Sequence, residues 1–339
     1  MSNSAKQHNN EGEADVKGVS VDQLLRPGTW DEYVGQDTIK KNLKVIIEAA
    51  RKRNESIDHI LFYGQAGLGK TTLAHLVCRE MGAALKVTSG PTLEKVGDIA
   101  AVLSNLESGD VLFVDEVHRL NRLVEEVFYP ALESRKLHLM VGKGPSARSI
   151  TLDLPPFTLV AATTRMSLLS GPLRSRFGAT FKLDYYNPED IKKIIERSAA
   201  LLNVTIEAQA VDMLSRASRA TPRVANRLLK RIRDFAEVKG EGVIDTAICQ
   251  KALAFLGVDA VGLEEADRHF LETVIVKFNG GPVGINTLTA ALNEDRGTIE
   301  EVYEPYLMSL GFLERTPGGR IATEAAYKHL DIKTKGTLV

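Results

Sequence analysis

A glycine-rich loop between an apolar run and a helix start constrains this chain more than any other feature. Residues 64–71 match the pattern G-x-x-x-x-G-K-[ST], preceded by apolar Leu61–Tyr63 and followed by a predicted helix, Thr71–Met81. Such glycines let backbone N–H groups face phosphate oxygens, and the helix N-terminus adds positive potential. The pattern predicts Lys70 on the β- and γ-phosphates of a nucleoside triphosphate and Thr71 on Mg²⁺. The alternative, a plain glycine turn, is weaker because the full pattern stands in its strand–loop–helix setting.

Two further apolar runs each end in polar side chains, and both runs are predicted to form buried parallel strands. Val111–Val114 leads into Asp115 and Glu116, and residues 157–165 end in two threonines and an arginine. Because open α/β sheets bind ligands at the carboxyl ends of their strands, we expect these groups near the phosphate loop. Asp115 is predicted to hold Mg²⁺ and Glu116 to polarise the attacking water. Thr164, or else the threonine before it, is predicted to contact the γ-phosphate or that water. An acidic strand end facing solvent is the alternative.

Two arginine positions resemble devices for handling phosphoryl charge. Arg174 and Arg176 follow a proline in a short loop, where an arginine finger can be offered to a neighbouring subunit's nucleotide. The alternative is a pair of surface arginines that cap a helix. Arg223 follows a predicted N-cap threonine and a proline at the start of a helix. Because a cation there opposes the helix dipole, the sequence suggests that Arg223 serves an anion.

The bulk composition limits the class of protein. The chain has 339 residues, 44% of them apolar, and a net charge of −1, so we expect two or three globular domains. Any nucleic-acid contact must therefore come from a local patch. Two distant cysteines, Cys78 and Cys249, suggest neither a metal site nor an oxidising compartment. No apolar run is long enough to span a membrane, and residues 1–18 read as a disordered polar tail, so a cytoplasmic protein is predicted.

Beyond the ATPase core the sequence changes character twice. Residues 136–154 alternate in the manner of a β-hairpin that projects from the sheet to meet a partner, although packing on its own domain is an equal alternative. Residues 187–257 read as an all-helical lid, and residues 258–339 as a winged helix, three helices and a hairpin.

The winged helix is a poor generic DNA binder by composition. It carries 13 acidic against 8 basic residues, so contact would have to come from a few arginines. Arg315 and Arg320 are predicted to face each other across the hairpin, which is unfavourable unless an anion such as phosphate lies beside them. Arg296, in the turn before the third helix, is a further candidate. A protein-docking winged helix is the alternative.

The order of these motifs resembles that of AAA+ ATPases, and several strings resemble the RuvB family of Holliday-junction branch-migration motors. The resemblance covers about residues 19–330. The strings that carry it are Arg26–Pro27, Asp31–Gln36, Gly67–Thr72, Asp115–Leu120, Leu154–Leu159, Pro172–Gly178, Gly280–Gly284 and Arg315–Pro317. Two departures, Gln65-Ala66 for Pro-Pro and Ala220 for Gly, remove no phosphate ligand.

The resemblance implies a fold and an assembly: an α/β AAA+ P-loop ATPase core at residues 19–186, the lid and the winged-helix domain. It also implies a homohexameric ring on duplex DNA that hydrolyses ATP to ADP with Mg²⁺ and migrates Holliday junctions in recombination and repair. RuvA would dock on the hairpin at 136–154, and the junction resolvase RuvC would join a larger complex.

The resemblance also assigns roles to individual residues. It places Leu25, Arg26 and Tyr186 around adenine, and it places Gly67, Lys70, Thr71 and Thr72 on the phosphates. It assigns Arg174 as the trans-acting finger, Arg176 as a further nucleotide contact and Arg223 as the second sensor. It places Arg296, Arg315 and Arg320 on DNA.

Two rival functions stay open on the same sequence. One is a clamp-loader-like subunit, which opens a ring rather than pumping DNA. The other is a nucleotide-gated switch, whose winged helix reads DNA while ATP sets assembly. A switch could dispense with Glu116, so the presence of Glu116 beside Arg174 favours turnover.

Overall fold

Five parallel strands form the sheet that carries the phosphate loop. The computed structural model describes residues 20–142 and 147–333, so the predicted tail and the tip of the predicted hairpin lie outside the described residues. The strand order is β2-β3-β6-β1-β7. These strands are β1 Ile60–Tyr63, β2 Leu85–Ser89, β3 Val111–Asp115, β6 Thr158–Thr163 and β7 Ala179–Lys182. Because all five are parallel, their carboxyl ends meet at one edge, which we call the nucleotide edge.

Helices cover both faces of this sheet, as the apolar runs of β3 and β6 require. Strand β6 is buried along its whole length, and β3 is buried except at Asp115. The helices of this domain are α1 Val21–Leu24, α2 Asp37–Arg53, α3 Lys70–Met81, α4 Val96–Ser104, α5 Arg122–Ser134 and α6 Gly171–Arg174. A 3-10 turn at Gly90–Thr92 precedes the fourth helix.

A two-stranded antiparallel hairpin leaves the sheet between α5 and β6. Its strands are β4 Lys136–Val141 and β5 Arg148–Asp153, so the predicted hairpin is confirmed. At its base Leu137 is fully buried, whereas Met140 is 69% exposed. The base therefore packs on its own domain while the outer part presents apolar side chains to solvent.

A helical lid follows the sheet domain and shares a core with it. Its helices are α7 Pro188–Leu201, α8 Ala208–Ala217, α9 Pro222–Lys239 and α10 Thr246–Phe255, with a short parallel pair, β8 Thr205–Ile206 and β9 Val243–Ile244. One apolar cluster runs from Phe62 in the sheet to Ile232 in the lid. The strand pair was not predicted, because two residues are too few to give a periodic pattern.

The last part of the chain forms a winged helix with its own apolar core around Phe270 and Leu307. Its elements are α11 Glu265–Glu272, a π-helix Thr273–Lys277, α12 Ile285–Leu292, α13 Arg296–Thr298, a π-helix Ile299–Tyr303, α14 Glu304–Ser309, β10 Leu313–Thr316, β11 Gly319–Ala322 and α15 Glu324–His329. The predicted three helices and hairpin are present, and α15 is an addition. No helix within 20–142 or 147–333 is long and apolar enough to cross a membrane.

Candidate nucleotide-binding site

The phosphate loop joins β1 to α3 and is packed too closely for side chains at its glycines. Gly67 and Gly69 have φ of +82° and +99°, in the region that favours glycine. A Cβ atom on Gly69 would lie 2.7 Å from the hydroxyl of Tyr33, and one on Gly67 would lie 2.9 Å from the Cβ of Arg223. The loop is therefore held between the segment before α2 and the lid, and Thr71 and Thr72 stand in the first turn of α3.

Lys70 is buried at the start of α3 and bonded to the loop itself. Its Nζ donates hydrogen bonds of 2.8 Å to the carbonyl oxygens of Gly64 and Gln65. The pKa of Lys70 is lowered to about 8, mainly by burial; the negative charge of Asp115 opposes this shift and the positive charge of Arg223 adds to it. The ammonium group is thus poorly compensated, and phosphate oxygens would supply the missing counter-charge.

The two acidic residues after β3 lie at the nucleotide edge in different environments. Asp115 accepts a hydrogen bond from the backbone N–H of Glu116, 2.9 Å, which orients its carboxylate. Glu116 has a left-handed φ of +48°, and its Oε2 accepts from Arg119 Nη1 at 3.1 Å. Both partners of this second contact are half-exposed, so the pair is weak and readily exchanged.

The two threonines at the end of β6 divide their roles. Thr163 is fully buried, and its hydroxyl contacts His118 Nδ1 at 2.9 Å and accepts from the backbone N–H of Arg165 at 3.0 Å. Thr164 is half-buried, and its hydroxyl has no hydrogen-bond partner among the described residues. Thr164 is therefore the hydroxyl left available at the nucleotide edge, in line with the first choice made from sequence.

A small, largely apolar cavity lies beside the phosphate loop, at the junction of the sheet domain and the lid. Of the three residues predicted around adenine, Leu25 and Tyr186 line it. The structure places Arg26 elsewhere, with its Nη1 2.5 Å from His75 Nε2 on α3. Tyr33 and Val34 also line the cavity, from the string Asp31–Gln36 that contributes to the family resemblance. The Tyr186 hydroxyl donates to the carbonyl of Leu68 at 3.2 Å, and burial raises its pKa to about 12.

Sequence reasoning missed the lid residues of this cavity, which are Ile194, Arg197, Pro222 and Asn226. Ile194 and Arg197 both lie on α7 and line the cavity. Arg197 donates to the carbonyl of Leu25 at 3.0 Å and to Glu32 Oε2 at 2.9 Å, which fixes the segment that bears Leu25. The only sequence signal for Ile194 and Arg197 was the amphipathic pattern of α7. That pattern shows which face of the helix is buried, but not which segment packs against it.

Arg223 reaches the phosphate loop from the lid. Thr221 caps α9 by accepting from the N–H of Val224, and Pro222 follows as the first helical residue, as predicted. The backbone N–H of Arg223 is 3.4 Å from the carbonyl of Gly67. Its guanidinium forms no ion pair with any described residue. An unpaired arginine at a phosphate loop is suited to binding an anion.

The donor set fits a magnesium ion that is held mainly by phosphate. Among the described residues no group of three or more His, Cys, Asp or Glu side chains could hold a metal ion by itself. The predicted protein ligands at the nucleotide edge are the Thr71 hydroxyl and the Asp115 carboxylate. Mg²⁺ in nucleotide sites characteristically takes one or two such ligands and completes its shell with phosphate and water.

Comparisons with known proteins agree over almost the whole chain. Family models match three consecutive stretches: the Holliday junction DNA helicase RuvB P-loop domain over residues 25–183, the RuvB AAA lid domain over 186–259 and the RuvB C-terminal winged helix domain over 260–331. The Holliday junction branch migration complex subunit RuvB of Fusobacterium nucleatum is 54% identical over 311 residues, 92% of this chain and 94% of that protein. The chain belongs to the RuvB family.

Solved structures of a RuvB support the fold directly. The Thermotoga maritima RuvB Holliday junction branch migration motor has a TM-score of 0.84 and 50% identity, and the match covers 92% of this chain and 99% of that one. A lysine-to-arginine variant of the same protein gives a TM-score of 0.85. The predicted family, the AAA+ fold with lid and winged helix, and the prediction of a P-loop ATPase that binds nucleotide are confirmed.

The arginine loop of this RuvB-family chain lies far from its own phosphate loop. Arg176 lines a polar depression with Asp58 and His59, which precede β1, whereas the phosphate loop follows β1. Its Nη2 is 2.7 Å from Glu133 Oε1, and its guanidinium lies 4.6 Å from the centre of the Tyr129 ring. Arg174 is exposed and has no side-chain partner in the part of the chain that the structure describes. Arg176 therefore lies at the opposite end of β1 from the phosphate loop of the same chain.

The structure corrects the prediction that a phosphate balances the charge of the facing arginines in the winged helix. Arg315 pairs with Arg320 across β10 and β11, so the predicted register is confirmed. The counter-charge is not phosphate, however, because Arg320 Nε donates to Glu304 Oε1 at 2.6 Å and both side chains are buried. Arg320 is therefore inaccessible to DNA in this conformation. Arg315 and Arg296 are half or more exposed and remain predicted DNA contacts.

Proposed function

We propose that this chain is an ATP-driven motor of Holliday-junction branch migration in recombination and repair. The observation that carries the proposal is the arrangement at the nucleotide edge. Lys70, Asp115, Glu116 and Thr164 converge there from three adjacent strands, and the lid adds the unpaired Arg223. A binding switch needs only part of this set, whereas hydrolysis needs all of it.

Each residue has a distinct task in the proposed reaction. Lys70 and Arg223 bind the β- and γ-phosphates. Thr71 and Asp115 would hold Mg²⁺, which would supply positive charge beside the phosphates. Glu116 orients and polarises the attacking water after it leaves Arg119. Thr164 positions that water or the γ-phosphate. Leu25 and Tyr186 enclose the base, and Arg26 contacts the nucleotide only if it leaves His75.

The arginine loop acts across a subunit interface in this proposal. Its position at the opposite end of β1 from the phosphate loop supports action on a neighbouring subunit, which a homohexameric ring would supply. The solved Thermotoga variants replace a lysine, a threonine, a proline and an arginine. The same residue types occur at the same spacing here as Lys70, Thr164, Pro222 and Arg176. This spacing makes Arg176 the first candidate for the finger and Arg174 the second.

The proposed partners follow from the family and from the exposed surfaces. Arg296 and Arg315 contact duplex DNA, and the apolar outer part of the hairpin binds RuvA. RuvC joins the larger complex. The proposed units are 19–186, 187–257 and 258–339. The relatives named above are described as branch migration proteins, which supports this assignment.

Strand separation of a synthetic four-way junction tests the function. We expect resolution into duplexes with ATP and RuvA for the wild type and none for Glu116→Gln. ATP hydrolysis with persistent junctions would instead favour a loader or a switch. Mixing Lys70→Ala subunits with Arg176→Ala or Arg174→Ala subunits identifies the finger: mixtures regain hydrolysis only where the arginine acts in trans.

A further inference from the structure

Two sets of ion pairs attach the winged-helix domain to the rest of the chain. One set joins it to the lid: Arg219 Nη1 is 2.8 Å from Asp267 Oδ2, and the Arg219 guanidinium lies 4.5 Å from the centre of the Tyr306 ring. The other joins it to the sheet domain through Arg165 and Glu301, which we call the sensor ion pair.

The two attachments differ in strength. Asp267 is 1% exposed and Arg219 is 14% exposed, so separating this pair would leave the Asp267 carboxylate as an uncompensated buried charge. In the sensor ion pair Glu301 is 37% exposed, and solvent can compensate both charges when they part. When the lid moves against the sheet, the winged-helix domain should therefore follow the lid, and the sensor ion pair should break first.

The sensor ion pair lies next in sequence to Thr164, a predicted catalytic residue. Arg165 is the residue after Thr164, and its backbone N–H donates to the Thr163 hydroxyl, which also contacts His118. Holding the Arg165 side chain therefore restrains the position of Thr164 at the nucleotide edge. Glu301 exerts this restraint from another domain.

The segment that bears Glu301 also bears a predicted DNA contact. Arg296 lies five residues earlier in the sequence and is exposed, and its Nη2 is 3.0 Å from Glu300 Oε1. Arg315 Nη2 is 3.8 Å from the same oxygen. A DNA phosphate that took up Arg296 and Arg315 would leave Glu300 with Arg320 alone, whose Nη2 lies 3.6 Å from Glu300 Oε1, and would thereby reorganise the short π-helical segment Ile299–Tyr303. Glu301 lies within that segment.

The sensor ion pair coexists with contacts that must be exchanged before turnover. Lys70 is bonded to Gly64 and Gln65, and Glu116 to Arg119. These contacts occupy the phosphate-binding ammonium and the water-polarising carboxylate. The conformation that contains the sensor ion pair is thus a restrained one.

We propose that Arg165 and Glu301 are positioning residues that act on hydrolysis through Thr164. The sensor ion pair restrains the ATPase until DNA engages Arg296 and Arg315, and its opening couples duplex binding to turnover. This inference rests on the proposed function.

Neutralising one partner tests the restraint. In Glu301→Gln we expect kcat for ATP without DNA to rise about fivefold, with KM unchanged, and the stimulation by duplex DNA to shrink by the same factor. Glu272→Gln, an exposed change of equal charge in the same domain, should match the wild type. The charge exchange Arg165→Glu with Glu301→Arg should restore the low basal rate. A basal rate that stays unchanged or falls in Glu301→Gln would overturn the proposal.

Cross-linking measures the proximity of the two segments that bear Arg165 and Glu301, without relying on hydrolysis. Both native cysteines are buried, so Arg165→Cys with Glu301→Cys offers a unique reactive pair for a short bismaleimide. The substitutions remove the ion pair, but Arg219 and Asp267 still hold the winged-helix domain to the lid. We therefore expect a partial yield in the full-length protein, no intramolecular product from either single variant, and a lower yield once duplex DNA is added. A yield that duplex DNA leaves unchanged would refute the coupling. Absence of ATP hydrolysis under every condition would refute the proposed function instead, and the cross-linking result would still stand.

Discussion

The nucleotide site and the winged-helix domain handle charge in opposite ways. At the nucleotide edge Lys70 is bonded to loop carbonyls and Glu116 to a half-exposed arginine. In the winged helix Arg320 and Glu304 form a buried pair. The contacts at the nucleotide edge can be exchanged for contacts with a ligand at a low free-energy cost, whereas breaking the buried pair has a high free-energy cost. Charges that serve chemistry are held loosely here, and charges that hold the fold together are held tightly.

The largest expected effect lies at the loosely held carboxylate. Glu116→Gln should lower ATP turnover by about 10²- to 10⁴-fold, because the amide cannot accept a proton from water. Nucleotide affinity should be retained, since Lys70 and the loop are untouched. A phosphate-release assay and a fluorescent-nucleotide titration measure the two quantities. Glu126→Gln, at an exposed ion pair on α5, is the control and should keep full turnover. More than a tenth of wild-type turnover in Glu116→Gln would argue against its catalytic role.

The next effect contrasts the two arginines that face each other on the wing. Arg320→Ala should destabilise the winged-helix domain by about 3–5 kcal/mol, because the buried Glu304 would lose its 2.6 Å partner and keep only Arg315 at 4.0 Å. Arg315→Ala should change the free energy of unfolding by about 0–1 kcal/mol, since that side chain is half-exposed. Urea unfolding measures both.

The same pair of variants separates a structural role from DNA contact. If Arg315 binds a phosphate, Arg315→Ala should weaken duplex binding and lower the slope of log affinity against log salt by about 1. Equal destabilisation by the two substitutions, or an unchanged salt slope, would contradict the division of roles.

Sequence reasoning succeeded where backbone patterns place the ligand groups. The phosphate loop, the Asp115–Glu116 strand end and the Thr221 cap each depend on residues that are adjacent in the chain. The register of Arg315 with Arg320 followed from the hairpin alone. The carboxylates that balance the charge of these two arginines could not be predicted from the hairpin. Glu300 and Glu304 come from the preceding helical segment, whose orientation depends on tertiary packing. Arg197 and the sensor ion pair escaped prediction for the same reason, since each joins residues of different domains.

A smaller effect concerns pH at Lys70. Because burial lowers its pKa to about 8, the free site loses its positive charge as pH rises through that value. Affinity for ADP should fall about tenfold between about pH 7.5 and about pH 9. Lys70→Arg, whose charge persists, should remove this dependence.

Stability should move in the opposite direction over the same range. A lysine whose folded-state pKa lies below its unfolded value of 10.5 binds fewer protons when folded, so the free energy of unfolding rises with pH above about 8. Calorimetric titration of ADP, with thermal unfolding at each pH, distinguishes the two trends. Affinity that does not respond to pH in the wild type would show that Lys70 stays charged in the free site.

The smallest effect lies on the loop that connects the two contrasted regions. Ala220 has a left-handed φ of +51°, and it stands between Arg219, which binds the winged helix, and Thr221, which caps the helix that contacts the phosphate loop. Ala220→Gly should stabilise the chain by about 0.5–1 kcal/mol, because relief of backbone strain exceeds the added entropy of the unfolded state. Asn203→Gly is the control: asparagine tolerates its own left-handed φ of +54°, so no gain is expected there. If Ala220→Gly gains stability without altering ATPase, the strained loop is only a connection; if DNA stimulation falls as well, its rigidity helps transmit the lid's position to the winged helix.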